Sequence, residues 1–252
     1  MADPTPRLLL WGCAVAIEAV ATYAGHPVPG RGRTTTGDYQ VAGEHLVERF
    51  RLFFLIALGE TVVTSSTAFT AQPVAPLRVT ALIVAFTGTV AIWWIYFHRA
   101  EGAAFELLDD GDGGDHGGLG RLATYSLYGM IAGLIVAAVG DQLVIARPGG
   151  DTDAVTSVVL YAGPAMFLLA QSWFILKAFG RVPPSRPVAL IAFAALAFAT
   201  HPLPPIAAAA GAAVVLVGVA IADTRRGTAP ATERHSHLPP SLLAWVAVAC
   251  PR

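Results

Sequence analysis

The 252-residue chain is 55% hydrophobic and 13% charged, with a formal net charge of −1 and a mean hydropathy of +0.60. A soluble domain carries about 25% charged residues, so half that share, with apolar runs of about 20 residues, describes a membrane protein. The near-neutral charge excludes an electrostatic nucleic-acid binder. The two cysteines, Cys13 in an apolar run and Cys250 beside the C-terminus, form neither a disulfide framework nor a ligand cluster.

Seven apolar runs follow in chain order, at about 8–24, 46–69, 77–98, 122–146, 154–177, 187–201 and 205–223. A helix rises 1.5 Å per residue, so about 20 residues cross the roughly 30 Å of hydrocarbon. The pattern predicts an all-α fold, a polytopic transmembrane helix bundle of about seven spans. It forms one domain over 1–224, with 225–252 as a cytoplasmic tail.

The first run, LLLWGCAVAIEAVATYAG, holds Glu18 ten residues in. The second holds Glu60 at its centre. The third closes on WWIYFHRAE, residues 93–101, an aromatic cluster suited to the headgroup level, with His98 and Arg99 at the surface. The loop ELLDDGDGGDHGGLG follows. Its Asp109, Asp110, Asp112 and Asp115 lack the spacing and closing Glu of a calcium loop, so it reads as a solvated linker. Asp141 lies in the outer part of the fourth run. The sixth, RPVALIAFAALAFATHPLPP, is short and ends in a Pro-rich turn beside His201, an interfacial residue. It reads as a re-entrant segment or as half of a hairpin with the seventh.

Threading seven spans puts Arg7, Arg78 and Arg147 on one side and the other thirteen Lys and Arg on the opposite side. The positive-inside rule then makes the C-terminus cytoplasmic in a bacterial inner membrane, with Met1 outside. MADPTPR is a poor signal-peptide start, and Glu18 interrupts what would be its apolar core. An outward N-terminus is natural for a helix that follows another, so the chain is expected to be the later part of a longer membrane protein.

The segment HLVERFRLFFLIALGETVVTSSTAF, residues 45–69, carries the most concentrated polar pattern. At 100° per residue, Arg49 and Glu60 lie eleven steps apart and within about 20° of one face. Thr64 and Thr67 continue that face. His45 lies about 60° to one side and Glu48 about 120° away. Eleven residues rise about 16 Å, so Arg49 cannot reach Glu60. It is left to pair with Glu48 or with an acid of a neighbouring span. A carboxylate near the bilayer centre costs a few kcal/mol on insertion scales, so Glu60 requires other helices or a wet cavity. A buried acid can instead serve only as hydrogen-bonded glue between helices. That reading leads for Asp141, stands level for Glu18, and yields to a functional one for Glu60.

Three functions fit these residues. In the first, Glu60, with Thr64, Thr67 and Glu18, lines a polar path for an ion or small solute. His45, Glu48 and Arg49 then form its cytoplasmic mouth. In the second, the chain is a non-catalytic membrane scaffold or accessory protein. In the third, Glu44, His45, Glu48 and His98 hold the metal of a membrane hydrolase. A catalytic metal wants three protein ligands and an open position. The sequence has no HExxH, no GxSxG and no set of three spaced His, which favours an interfacial salt-bridge network over a metal. No residue pattern calls for a cofactor.

The same segment resembles the bacterial low-temperature-requirement A proteins, LtrA, whose pattern runs H-x-x-E-R-[FM]-G-L-F-x-I-I-x-L-G-E. His45, Glu48, Arg49, Phe50, Leu52, Phe53, Ile56, Leu58, Gly59 and Glu60 match it, and Arg51 replaces the usual Gly. WWIYFHRAE is similar to the family's W-W-x-Y-F-D segment, with His98 in place of the acid. The resemblance covers about 8–223. The family's usual early block, E-L-F-F-D-L-V-F, has no counterpart here, which agrees with a later portion or a short member. The resemblance implies a membrane protein associated with growth at low temperature, and no substrate.

Overall fold

The computed structural model of the chain describes residues 5–24, 43–109, 116–199 and 203–227. Among them are seven helices and no strand: α1 (Thr5–Tyr23), α2 (Gly43–Thr70), α3 (Pro76–Asp109), α4 (His116–Ala146), α5 (Ala154–Phe179), α6 (Ser185–Ala199) and α7 (Pro205–Gly227). Five stretches are long and apolar enough to cross a membrane: Val47–Thr70, Pro76–His98, Gly120–Ala146, Ala154–Phe179 and Pro205–Arg225. α6 and the apolar part of α1, Leu9–Glu18, are shorter. α3 runs eleven residues past its apolar stretch, so the acidic segment expected as a linker is helical as far as Asp109. Asp110, Asp112 and Asp115 lie outside the described residues, as does most of the expected tail, from 228 onward.

Local chemistry sets the ends. Pro76 and Pro205 open α3 and α7, where a missing N–H is harmless and φ is already helical. Asp153 caps α5 by accepting from the Thr156 amide at 2.8 Å. Hydrogen bonds from Thr156, side chain and backbone, hold its carboxyl below the usual range. Gly180 closes α5 with φ 72°, a left-handed position that favours glycine.

α4 and α5 share the tightest seam. Gly129, Gly133 and Ala137 recur every fourth residue and share one face of α4, and Gly163 faces them from α5. A Cβ at Gly133 would stand 2.5 Å from the Phe167 backbone nitrogen, and one at Gly163 would overlap the Ala137 backbone. Helices in lipid associate through such close backbone approach, since lipid tails are as apolar as Leu. Phe54 of α2 stacks on Tyr96 of α3 with centroids 3.7 Å apart and meets Phe167 of α5 at 6.0 Å. This aromatic cluster joins three helices in the core.

α6 and α7 form an antiparallel pair. At one end Arg186 of α6 donates to Asp223 of α7 at 2.8 Å, and Ser185 donates to the same carboxylate at 3.3 Å. At the other end the Thr152 hydroxyl donates to the Leu203 carbonyl, and the Ile206 amide donates to the Pro148 carbonyl. Arg186 therefore lies at one end of α7 and Leu203 at the other. The antiparallel packing of α6 on α7 matches the hairpin expected for the sixth and seventh runs. α6 itself is only about 22 Å long.

α1 stands apart. Among the described residues it has no substantial packing contact with the other six helices, and Trp11, Val15 and Ile17 are exposed along it.

Candidate functional site

α2 has two faces. Val47, Phe54, Leu58, Thr61, Ser65 and Ala68 are buried. Their spacings of three, four and seven residues make one stripe, which meets α3 and α4. Glu60 is exposed, one step or about 100° from buried Thr61. It shares the outward face with Leu52, Ile56 and Val63. Thr64 donates to Glu60 Oε1 at 3.5 Å, and Thr67 donates back to the Thr64 carbonyl at 2.8 Å. Glu60 stands thirteen residues into the apolar stretch Val47–Thr70, near its middle. The polar stripe is thus continuous, and it faces out of the bundle these helices form. The expected polar path inside this bundle is not lined by it: the inward position belongs to the apolar stripe with Thr61 and Ser65.

The other expected site residues lie apart. Glu48 and Arg49 are exposed and make no ion pair among the described residues. The side chains of Glu44 and His45 lie outside the described residues. His98 stacks on Trp94 with centroids 5.2 Å apart. Among the described residues no three His, Cys, Asp or Glu side chains converge as a metal site. Glu18 is exposed on α1, which does not pack substantially against α2. Cys13 is a free, exposed thiol. Cys250 and His201 lie outside the described residues.

Three buried charged residues, Arg78, Arg186 and Asp223, escaped sequence reasoning. Arg78, counted above as a flanking charge, is 5% exposed. It donates to the carbonyls of Ala68 at 2.7 Å, Pro73 at 3.0 Å and Ile145 at 3.1 Å, closing the ends of α2 and α4. Arg186 and Asp223 are fully buried together. Opposite charges at the start of one short apolar run and the end of the next were the available signal. Asp141 extends the small-residue seam, four residues past Ala137, and is partly buried. The series Gly129, Gly133, Ala137, Asp141 was legible as a helix-contact face carrying an acid.

Comparison with known proteins gives two matches. The sequence model of the bacterial low temperature requirement A protein (LtrA) matches residues 1–221. The "Uncharacterized protein RA0937" of Rhizobium meliloti (strain 1021) is 30% identical over 173 residues, which is 69% of this chain and 42% of that relative. The chain thus spans less than half the length of the curated relative it matches. No solved structure matches it.

Proposed function

The chain belongs to the bacterial low temperature requirement A (LtrA) family and is a multi-pass membrane protein; on that premise we propose that it works in ion- or proton-coupled transport, with Glu60 as the titrating group. One observation supports this reading. A carboxylate sits at mid-span on an outward face that also carries Leu52, Ile56 and Val63, where lipid alone would be a costly neighbour. The path then forms where that face of α2 meets further helices, supplied by a second copy or by sequence this chain does not contain. Thr64 and Thr67 extend the polar surface along the same face. His45, Glu48 and Arg49 lie about three turns away, toward its cytoplasmic mouth. The cargo is an ion or small solute. The membrane is the bacterial inner membrane, with the C-terminus cytoplasmic.

The test compares intracellular pH and ion content after a cold shift in wild type, Glu60→Gln and a deletion, each variant at equal folded protein. The transport reading expects Glu60→Gln to match the deletion. Wild-type pools in Glu60→Gln, alongside a deletion defect, would overturn it. The outward position of Glu60 also suits a second reading, in which the carboxyl only holds another helix in a scaffold. Glu60→Gln then lowers assembled protein and alters no ion pool.

A further inference from the structure

Beside Thr61, about 100° round α2 from Glu60, the bundle holds a cavity of about 30 Å³ among α2, α3, α4, α5 and α7. A water-sized particle needs about 10–15 Å³ by this measure, so there is room for one or two. The lining is apolar and small except for three side chains: Asp141 of α4, Thr61 of α2 and Thr89 of α3. Asp141 makes no hydrogen bond or ion pair among the described residues. Thr61 and Thr89 donate their hydroxyl protons to the carbonyls of Leu58 and Ala85, at 2.8 Å and 3.2 Å. Their oxygen lone pairs therefore remain free to accept. Leu160 and Pro164 of α5 line the same cavity. Pro164 has no N–H, so the Leu160 carbonyl loses its usual intrahelical donor. Asp141 lies five residues, about 8 Å, from the end of its helix.

These are hard oxygen donors, suited to a proton or an alkali cation and unsuited to soft metals. Among the described residues Asp141 is the one ionisable residue lining the cavity. Five other described charges on these helices and their ends are engaged or turned away. Arg78 of α3 is bound to carbonyls, and Arg147 and Asp153 are exposed at the ends of α4 and α5. Glu60 faces out from α2, and Asp223 of α7 is paired with Arg186 at the opposite end. One carboxylate neutralises one positive charge. A divalent ion would leave a net charge inside the membrane, where charge is expensive. We infer that Asp141, Thr61 and Thr89 form an interior site for one small monovalent cation, a sodium ion or a proton. This goes beyond the transport reading and depends on a different face of α2.

The test is the thermal midpoint of the full chain in lipid nanodiscs, titrated with sodium chloride against choline chloride at constant ionic strength and several pH values. Sodium is expected to raise the midpoint saturably. Where protons compete for one carboxylate, the half-saturating concentration should rise about tenfold per pH unit of acidification. Asp141→Asn should remove both responses, and Glu60→Gln should keep them, which separates failure of this site from failure of the transport reading. Thr89→Val should raise the half-saturating concentration roughly tenfold, the worth of one good ligand contact. A midpoint that ignores sodium yet titrates with pH, only while Asp141 is present, assigns the site to a proton. Responses that survive Asp141→Asn, or a wild type with neither response, overturn the inference. If Asp141→Asn does not fold, infrared difference spectra of wild type decide. The site predicts a carboxylate band change on adding sodium or acid that Glu60→Gln retains, and no such change refutes it.

Discussion

Gly133→Ala adds one methyl group where the α4–α5 seam has no room for it. The new Cβ would lie 2.5 Å from the Phe167 nitrogen, 2.8 Å from the Gly163 carbonyl oxygen and 3.0 Å from the Phe167 Cα, against ordinary contacts of 3.4–4 Å. All three obstacles are backbone, so no rotamer change relieves them. α5 must retreat by about 1 Å, the difference between 2.5 Å and a normal contact. A gap of 0.5–1 Å forfeits about a quarter to a half of each contact's attraction, itself about 0.1–0.2 kcal/mol. Over tens of atom pairs along the seam this comes to about 1–3 kcal/mol, the usual range for overpacking. The same change at exposed Gly218 of α7, whose Cβ would meet nothing within 4 Å, should instead stabilise by up to about 1 kcal/mol through helix propensity. Unfolding of both variants in mixed detergent–SDS micelles gives the comparison. Truncating Phe167 should not rescue Gly133→Ala, because the clash is with its main chain. A Gly133→Ala protein as stable as Gly218→Ala would refute the seam as described.

Two further outcomes follow from other contacts. Arg186→Met alone leaves the fully buried Asp223 without its guanidinium and should destabilise by about 3–5 kcal/mol; Arg186→Met with Asp223→Leu should recover most of that, as read by the same unfolding assay. The Asp153 carboxyl is lowered by its bonds from Thr156, so its contribution is complete above the unfolded-state value of about 3.9 and fades as pH falls through the lower folded value. Amide exchange at Thr156 should therefore accelerate below that window, and Asp153→Asn, still a cap, should remove the pH dependence.

The helices were largely legible because apolar length and turn residues decide them. Pro76, Asp153 and Pro205 mark starts that a linear reading finds. Which way a helix faces was not legible. The sequence put Arg49, Glu60, Thr64 and Thr67 on one stripe, and the structure keeps the outer three together. In water an acidic stripe would announce the exposed side. In a membrane the surroundings are as apolar as the core, so a polar face can point to a cavity, a partner or a neighbouring subunit. Only the competing stripe of Phe54, Leu58, Thr61 and Ser65 selects the inward side, and its packing against α3 and α4 is a tertiary fact. The pairing of Arg186 with Asp223, 37 positions away, was hidden for the same reason.

Arg78 also imposes an order on assembly. Two of its three acceptors, Ala68 and Pro73, precede it within ten residues, so the α2–α3 turn can engage most of the guanidinium as soon as it is made. The third, Ile145, arrives 67 residues later. At about 5–20 residues per second, synthesis takes about 3–13 s to supply it. Through that interval Arg78 Nε lacks the acceptor that the end of α4 supplies in the complete chain. The arginine thus acts as a latch set by the early helices and closed by the later one, fixing which helix end docks there before α5 has emerged to compete for α4.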